Sequence, residues 1–340
     1  MNLIHIENLT KHFKILNRHE GLGGAIRDLF SSDYRTVKAV DGISFDIEPG
    51  EIVGYIGPNG AGKSTTIKMM TGILKPTSGS ILVNGRAPYS NRMRQSQIMG
   101  VVFGQRTQLW WDLPVIESFK ILKEIYGVDQ KTFDEHMSLF SDLAGLNTLY
   151  SQQVRTLSLG QRMLCDISAS FLHNPQVVFL DEPTIGLDIS IKSKIRSMIL
   201  ELNRTRNTTI ILTTHDLGDV EVLCRRIIII DKGKILYDGD TKKVNVLFGA
   251  YRTLKLQIRD FADTMLTNLQ EKLNEKFGAN SNIVVASTEE LWTDVTIDQA
   301  CTPLSSVLNF VMTIFPVDDV RIVEISMENI VRKVYDGALG

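Results

Sequence analysis

Residues 57–65 read Gly-Pro-Asn-Gly-Ala-Gly-Lys-Ser-Thr, and they satisfy the spacing G-x-x-x-x-G-K-[ST] at every fixed position. No other stretch constrains the fold as tightly, because this pattern works only between a buried strand and the first turn of a helix. Both neighbours are present. Glu51-Ile52-Val53-Gly54-Tyr55-Ile56 is the apolar run of such a strand, and Ser64-Thr65-Thr66-Ile67-Lys68-Met69-Met70 opens a helix. The glycines let backbone N–H groups turn inward around phosphate oxygens, and the helix N-terminus adds its partial positive charge. Gly57, Asn59, Gly60, Ala61, Gly62, Lys63, Ser64 and Thr65 are therefore the candidate phosphate-binding residues. Lys63 is expected to reach the β- and γ-phosphates, and the Ser64 hydroxyl to ligate Mg²⁺.

A second site lies downstream. Val177-Val178-Phe179-Leu180-Asp181-Glu182 is a short apolar run that ends in two acids, bounded by Asn174-Pro175 and Pro183. It reads as a buried parallel strand, and ligands sit at the carboxyl ends of such strands. Asp181 is placed to bind Mg²⁺ through water, and Glu182 to polarise the water that attacks the γ-phosphate.

The bulk numbers exclude several other classes. A chain of 340 residues suggests two domains, and 43% apolar with 22% charged residues is enough for full cores. A net charge of −2 argues against nucleic acid as a partner. Cys165, Cys224 and Cys301 have no metal-ligand spacing and read as reduced thiols. No signal peptide is expected, and no window approaches the roughly 18 apolar residues of a membrane span. Any link to a membrane must run through a partner.

Further elements then narrow the class, and with the two sites above they resemble the ABC ATPases across residues 1–240. After the two sites above, Leu157-Ser158-Leu159-Gly160-Gln161 precedes a helix expected over residues 162–173 and resembles the LSGGQ signature, with Leu159 in place of its first glycine. Gln105 follows the strand Met99-Gly100-Val101-Val102-Phe103 and resembles the Q-loop glutamine. His215, after Ile210-Ile211-Leu212-Thr213-Thr214, resembles the switch histidine, and Ile185-Gly186-Leu187-Asp188 resembles the D-loop. The resemblance implies two cassettes meeting head to tail around two ATP molecules. Ser158 and the Gly160 N–H would then touch the γ-phosphate bound by the other copy, with Gln161 beside them. It also implies a catalytic set of Glu182, His215, Gln105 and Lys63, a Mg²⁺ set of Ser64, Gln105 and Asp181, and an aromatic stacked on adenine. Phe13 holds that aromatic position, with Tyr34 the second candidate.

The expected fold is α/β: a P-loop NTPase cassette over residues 1–240, with a helical subdomain at about 106–173. A small α+β domain of ferredoxin-like order follows at 250–340. Residues 3–14 alternate like an edge strand. Residues 17–36 read as an insertion in which Leu22, Ile26, Leu29 and Phe30 fall at helical spacing; the helix either contacts a membrane partner or lies on its own domain. Helices are expected at 116–126 and 131–144. Trp110 and Trp111 either grip a partner or bury inside the subdomain. Beyond Gly239-Asp240 the pattern gives a strand at 252–258, a helix through Met265, Leu269, Leu273 and Phe277, a strand pair at 282–286 and 291–297, a helix at 304–315, a strand at 317–325 and a terminal helix at 327–335. That domain either regulates or passively stabilises a dimer.

Residues 101–114 resemble ATPases that serve bacterial ABC-2 type permeases. The implied function is the ATP-hydrolysing subunit of an ABC transporter, driving export through separate integral-membrane permease subunits. It would act as a homodimer, peripheral on the cytoplasmic face of the plasma membrane. The competing class, a soluble ABC ATPase of translation or DNA repair, calls for tandem cassettes or a long coiled-coil arm, and the sequence has neither. A binding module that does not hydrolyse is disfavoured by Glu182 and His215.

Overall fold

The computed structural model describes residues 2–16, 34–104, 106–214, 216–244, 251–259, 263–278, 281–289, 292–324 and 334. The chain divides into two compact units, Met1–Thr241 and Lys242–Gly340. Gln105 and His215 lie outside the described residues, as do positions 17–33 of the insertion expected at 17–36, whose last three residues belong to a strand, and all but position 334 of the helix expected at 327–335.

In the first unit, β1 (Ile4–Leu16) and β2 (Tyr34–Ile47) form an antiparallel ribbon. Then come β3 (Ile52–Ile56), α1 (Lys63–Met70), β4 (Ser78–Val83), α2 (Arg92–Ser96) and β5 (Met99–Phe103). The first segment is no edge strand: the three-stranded sheet runs β2-β1-β4, so β1 sits in the middle, with Ile4 opposite both Ile47 and Val83. The expectation failed because alternation reports which faces are buried, and a half-buried central strand alternates as an edge strand does. Ile4, Ile6 and Leu9 fill the inner face.

The remaining elements of this unit are α3 (Val115–Tyr126), α4 (Gln130–Ala144), α5 (Leu159–Ser170), β6 (Val177–Asp181), α6 (Ile189–Arg206), β7 (Thr209–Thr213), α7 (Leu217–Leu223), β8 (Arg226–Asp231) and β9 (Lys234–Asp240). Six strands form the second sheet in the order β5-β6-β7-β3-β8-β9, parallel except for β9. Strands covered on both faces need no alternation, which explains the unbroken apolar run from Val177 to Leu180, all fully buried. One core joins both sheets to α1 through Tyr55, Ile67, Phe179, Ile211 and Ile228. Each fully buried aliphatic or aromatic side chain of this kind contributes about 1.5–3 kcal/mol. The parallel strands all end on one side, where the phosphate loop follows β3 and the Asp181-Glu182 pair closes β6.

Helices α3 and α4 end on Gly127 and Gly145, both left-handed, and Asp129 caps α4 by accepting from the Thr132 N–H at 3.0 Å. Helix α5 starts three residues earlier than expected, because Ser158 supplies its cap. The signature is thus the helix terminus itself.

The second unit has the expected β-α-β-β-α-β order: β10 (Tyr251–Ile258), α8 (Asp263–Phe277), β11 (Val284–Glu289), β12 (Trp292–Asp298), α9 (Leu304–Ile314) and β13 (Val317–Glu324). Its antiparallel sheet runs β11-β12-β10-β13, and Leu254, Leu256, Val295 and Ile297 pack on Leu269, Leu273, Val307 and Val311.

Candidate functional site

The loop after β3 is shaped by close approaches that only glycine permits. A Cβ on Gly57 would overlap the carbonyl oxygen of Ile230 in β8. Gly62 holds φ at 111°, and a Cβ there would stand 2.5 Å from the Ala39 carbonyl. Lys63 is buried within the loop, its Nζ donating to the carbonyls of Gly57 at 2.6 Å and Pro58 at 3.1 Å. Helix α1 begins without a side-chain cap and without an acid in its first turn. Its N–H groups and dipole are left facing whatever the loop encloses, the arrangement of an anion cradle.

The end of β6 comes alongside. Asp181 Oδ2 lies 3.5 Å from the Ser64 hydroxyl, while Oδ1 accepts from the Thr213 hydroxyl at 2.5 Å, which fixes the carboxylate's orientation. A hydroxyl and a carboxylate are hard oxygen donors of the kind Mg²⁺ takes when substrate phosphates and water supply the rest. Among the described residues no group of three or more His, Cys, Asp or Glu side chains could hold a metal by itself. The donor set therefore fits a cation brought in with a nucleotide. Glu182 follows with φ at 54°, unusual for a residue with a side chain and a cost of order 1–3 kcal/mol. Its N–H donates to the Thr213 carbonyl at 3.0 Å and hydroxyl at 3.2 Å, so β7 helps to hold the strained turn.

Phe13, Ser64, Thr65, Phe103, Asp181 and Glu182 line one cleft of about 720 Å³. Phe13 presents a half-buried ring with the Lys11 ammonium 5.3 Å from its centroid, whereas Tyr34, more than half exposed, is not part of that lining. Gly104 donates its N–H to the Asp181 carbonyl at 2.8 Å, which brings the end of β5, one residue before Gln105, against β6.

The signature stands apart. Ser158 caps α5 by accepting from the Gln161 N–H at 3.2 Å, while the Gln161 side chain accepts from the Ser158 N–H at 2.9 Å. Gln161 is thus engaged in a reciprocal cap. Gly160 packs against α6, where a Cβ would meet Ile191 at 2.8 Å. None of Ser158, Gly160 and Gln161 lines the cleft around the phosphate loop. The D-loop Ile185-Gly186-Leu187-Asp188 turns through a left-handed Gly186 and ends in Asp188, which caps α6. Beside it Leu159, Ile185 and Ile189 are exposed, Ile189 at 87%.

Three groups escaped the reading of the sequence. Thr213 orients both Asp181 and Glu182, and only its adjacency to the switch position hinted at it. Asp219 in α7 accepts hydroxyls from Thr184 and Thr214. Asp166, buried in α5, accepts from the Thr107 hydroxyl at 2.8 Å and the Gln108 N–H at 3.0 Å, and burial pushes its carboxyl up to about 6. It ties the segment after Gln105 to the signature helix. Trp110 and Trp111 are partly exposed, with the Arg162 guanidinium 5.3 Å from the Trp111 ring. No helix among the described residues is long and apolar enough to cross a membrane.

Comparison with known proteins agrees with this fold. A family profile described as "ABC transporter" matches residues 40–185. The chain is 32% identical over 210 residues to the ABC transporter ATP-binding protein NatA of Bacillus subtilis, covering 62% of this chain and 85% of that protein. It is 31% identical over 231 residues to the linearmycin resistance ATP-binding protein LnrL of the same organism, covering 68% of this chain and 74% of the relative. Among solved structures, an ATP-binding subunit of an ABC transporter superposes with a TM-score of 0.60 at 22% identity, over 73% of this chain and 93% of that one. A dimeric bacterial ABC transporter cassette gives 0.59 at 23% identity, over 70% and 98%. At those identities the two structures speak for the fold alone.

Proposed function

The chain belongs to the ABC transporter ATP-binding proteins and is an ATP hydrolase, and from that premise we propose that two copies close head to tail on two ATP molecules to drive export through separate membrane permeases. The observation that carries this reading is the split of the site. Ser64 and Thr65 at the end of the phosphate loop line one cleft with Asp181 and Glu182, whereas Ser158 at the capped start of α5 does not line it. A second copy can supply what the first lacks, and exposed Leu159, Ile185 and Ile189 give it an apolar surface to cover. The dimeric assembly named for one structural relative supports the same arrangement.

In this account the loop N–H groups and Lys63 hold the phosphates, and Phe13 stacks on the adenine. Ser64, Asp181 and Gln105 hold Mg²⁺, which when bound neutralises charge developing on the β- and γ-phosphate oxygens. Glu182 takes a proton from the attacking water as the bond from the γ-phosphorus to the bridging oxygen breaks. His215 contacts the γ-phosphate from the same copy, and Ser158 and Gly160 from the other. The permeases would be of ABC-2 type, with the chain peripheral at the cytoplasmic face. A relative named for linearmycin resistance supports export. Replacement of Glu182 by Gln tests the chemistry: hydrolysis should slow by at least about 10² while ATP still binds. Turnover at the wild-type rate would remove Glu182 from that role.

A further inference from the structure

Against Thr184, just beyond the end of β6, and Thr214, just beyond the end of β7, sits a carboxylate to which the hydrolytic reading gives no task. Asp219, in the first turn of α7, is fully buried. Its Oδ1 accepts from Nε of Arg196 at 2.7 Å, and Nη2 of the same guanidinium also lies at 2.7 Å. Its Oδ2 accepts the hydroxyls of Thr184, two residues beyond Glu182, and of Thr214, at 2.9 Å, the residue before position 215. Two nitrogens and two hydroxyls occupy the roughly four lone-pair sites of a carboxylate. A carboxylate so saturated holds its donors in place. A buried negative charge persists only when paired and hydrogen-bonded, and Arg196 supplies the charge.

What it holds is the strained turn. Glu182 keeps φ at 54°, and a residue stays in that region only where its surroundings fix it from both sides. On the amino side its own N–H is bound to Thr213. On the carboxyl side come Pro183 and then the Thr184 hydroxyl on Asp219. We propose that Asp219 is a positioning residue for hydrolysis, fixing the Glu182 turn against Thr214, the residue after β7, by gripping Thr184 and Thr214 with one oxygen. The proposal rests on Glu182 being the general base.

The test uses the full-length chain with ATP and Mg²⁺, comparing Asp219→Asn, Thr184→Val and Thr214→Val with Thr184→Ser, which keeps the hydroxyl. Single-turnover hydrolysis should fall at least about 10-fold in the first three, with affinity for a fluorescent ADP analogue held within about 3-fold, the signature of an interaction used in the transition state. Thr184→Ser should stay within about 2-fold of the parent on the same reasoning. Added to Glu182→Gln, Asp219→Asn should cost less than about 2-fold more, since the two act as a unit. An affinity loss as large as the rate loss, or an equal fold-loss in both backgrounds, overturns the positioning role. If Asp219→Asn does not fold, as judged by its melting curve, the valine variants carry the same outcomes. Wild-type turnover in Glu182→Gln alone overturns the general-base reading, whereas wild-type turnover in Asp219→Asn overturns only the role of Asp219.

Discussion

Lys63 shows what the nucleotide must displace. Its ammonium rests on the carbonyls of Gly57 and Pro58, so binding exchanges two neutral acceptors for charged phosphate oxygens. Charge-assisted hydrogen bonds are worth about 1.5–3 kcal/mol, so Lys63→Ala should weaken ATP binding by roughly 10- to 100-fold in a titration. Unchanged binding would remove Lys63 from the phosphate site. Gly57→Ala tests the loop's geometry: the added methyl meets a backbone oxygen that cannot rotate away. Overpacking of this kind costs typically about 1–3 kcal/mol, which urea unfolding would register. Asp166 makes a prediction in pH. Its folded carboxyl titrates near 6, above its ordinary 3.8, so between those values the folded chain keeps a proton that the unfolded chain has released. The Asp166 contribution to stability therefore falls as pH rises from about 4 to about 6 and is level above that. Asp166→Asn should flatten that part of the profile of denaturation midpoint against pH; an unchanged slope would contradict it. The phosphate loop was legible because its parts are neighbours in the chain. Asp219 and Asp166 were not, because their partners lie 35 and 59 residues away.

At the scale of elements, the start of α5 was placed three residues late although its signal is local. The Ser158 cap with Gln161 at the third helical position is a local code, and the structure satisfies both halves of it. Ser158→Ala should destabilise by about 1 kcal/mol through the lost cap, seen as a lower melting temperature, apart from any loss across the dimer. No change in melting would mean that the cap contributes nothing to α5. The apolar run of β6 was readable as a buried parallel strand, and those of β3 and β7 as strands, because each is covered on both faces. The place of β1 was not, since neighbours in a sheet are chosen by long-range pairing and leave no mark on alternation. Exposed Ile189 and Leu159 are likewise silent in sequence, where an apolar residue at a helix start reads as core.

For the whole molecule, the two units were legible from a change of pattern near residue 240, where phosphate chemistry stops and a β-α-β-β-α-β order begins. The cargo was not, because nothing in an ATPase subunit needs to touch it. Ser64, Thr65, Asp181 and Glu182 line one cleft that Ser158, Gly160 and Gln161 of the signature do not line, and that incompleteness is the central claim. Sedimentation velocity of Glu182→Gln, with and without ATP and Mg²⁺, tests it directly. The account predicts monomers without nucleotide and a stable dimer with it. A sample that stays monomeric at saturating ATP, or monomers that hydrolyse at the full rate, would contradict it.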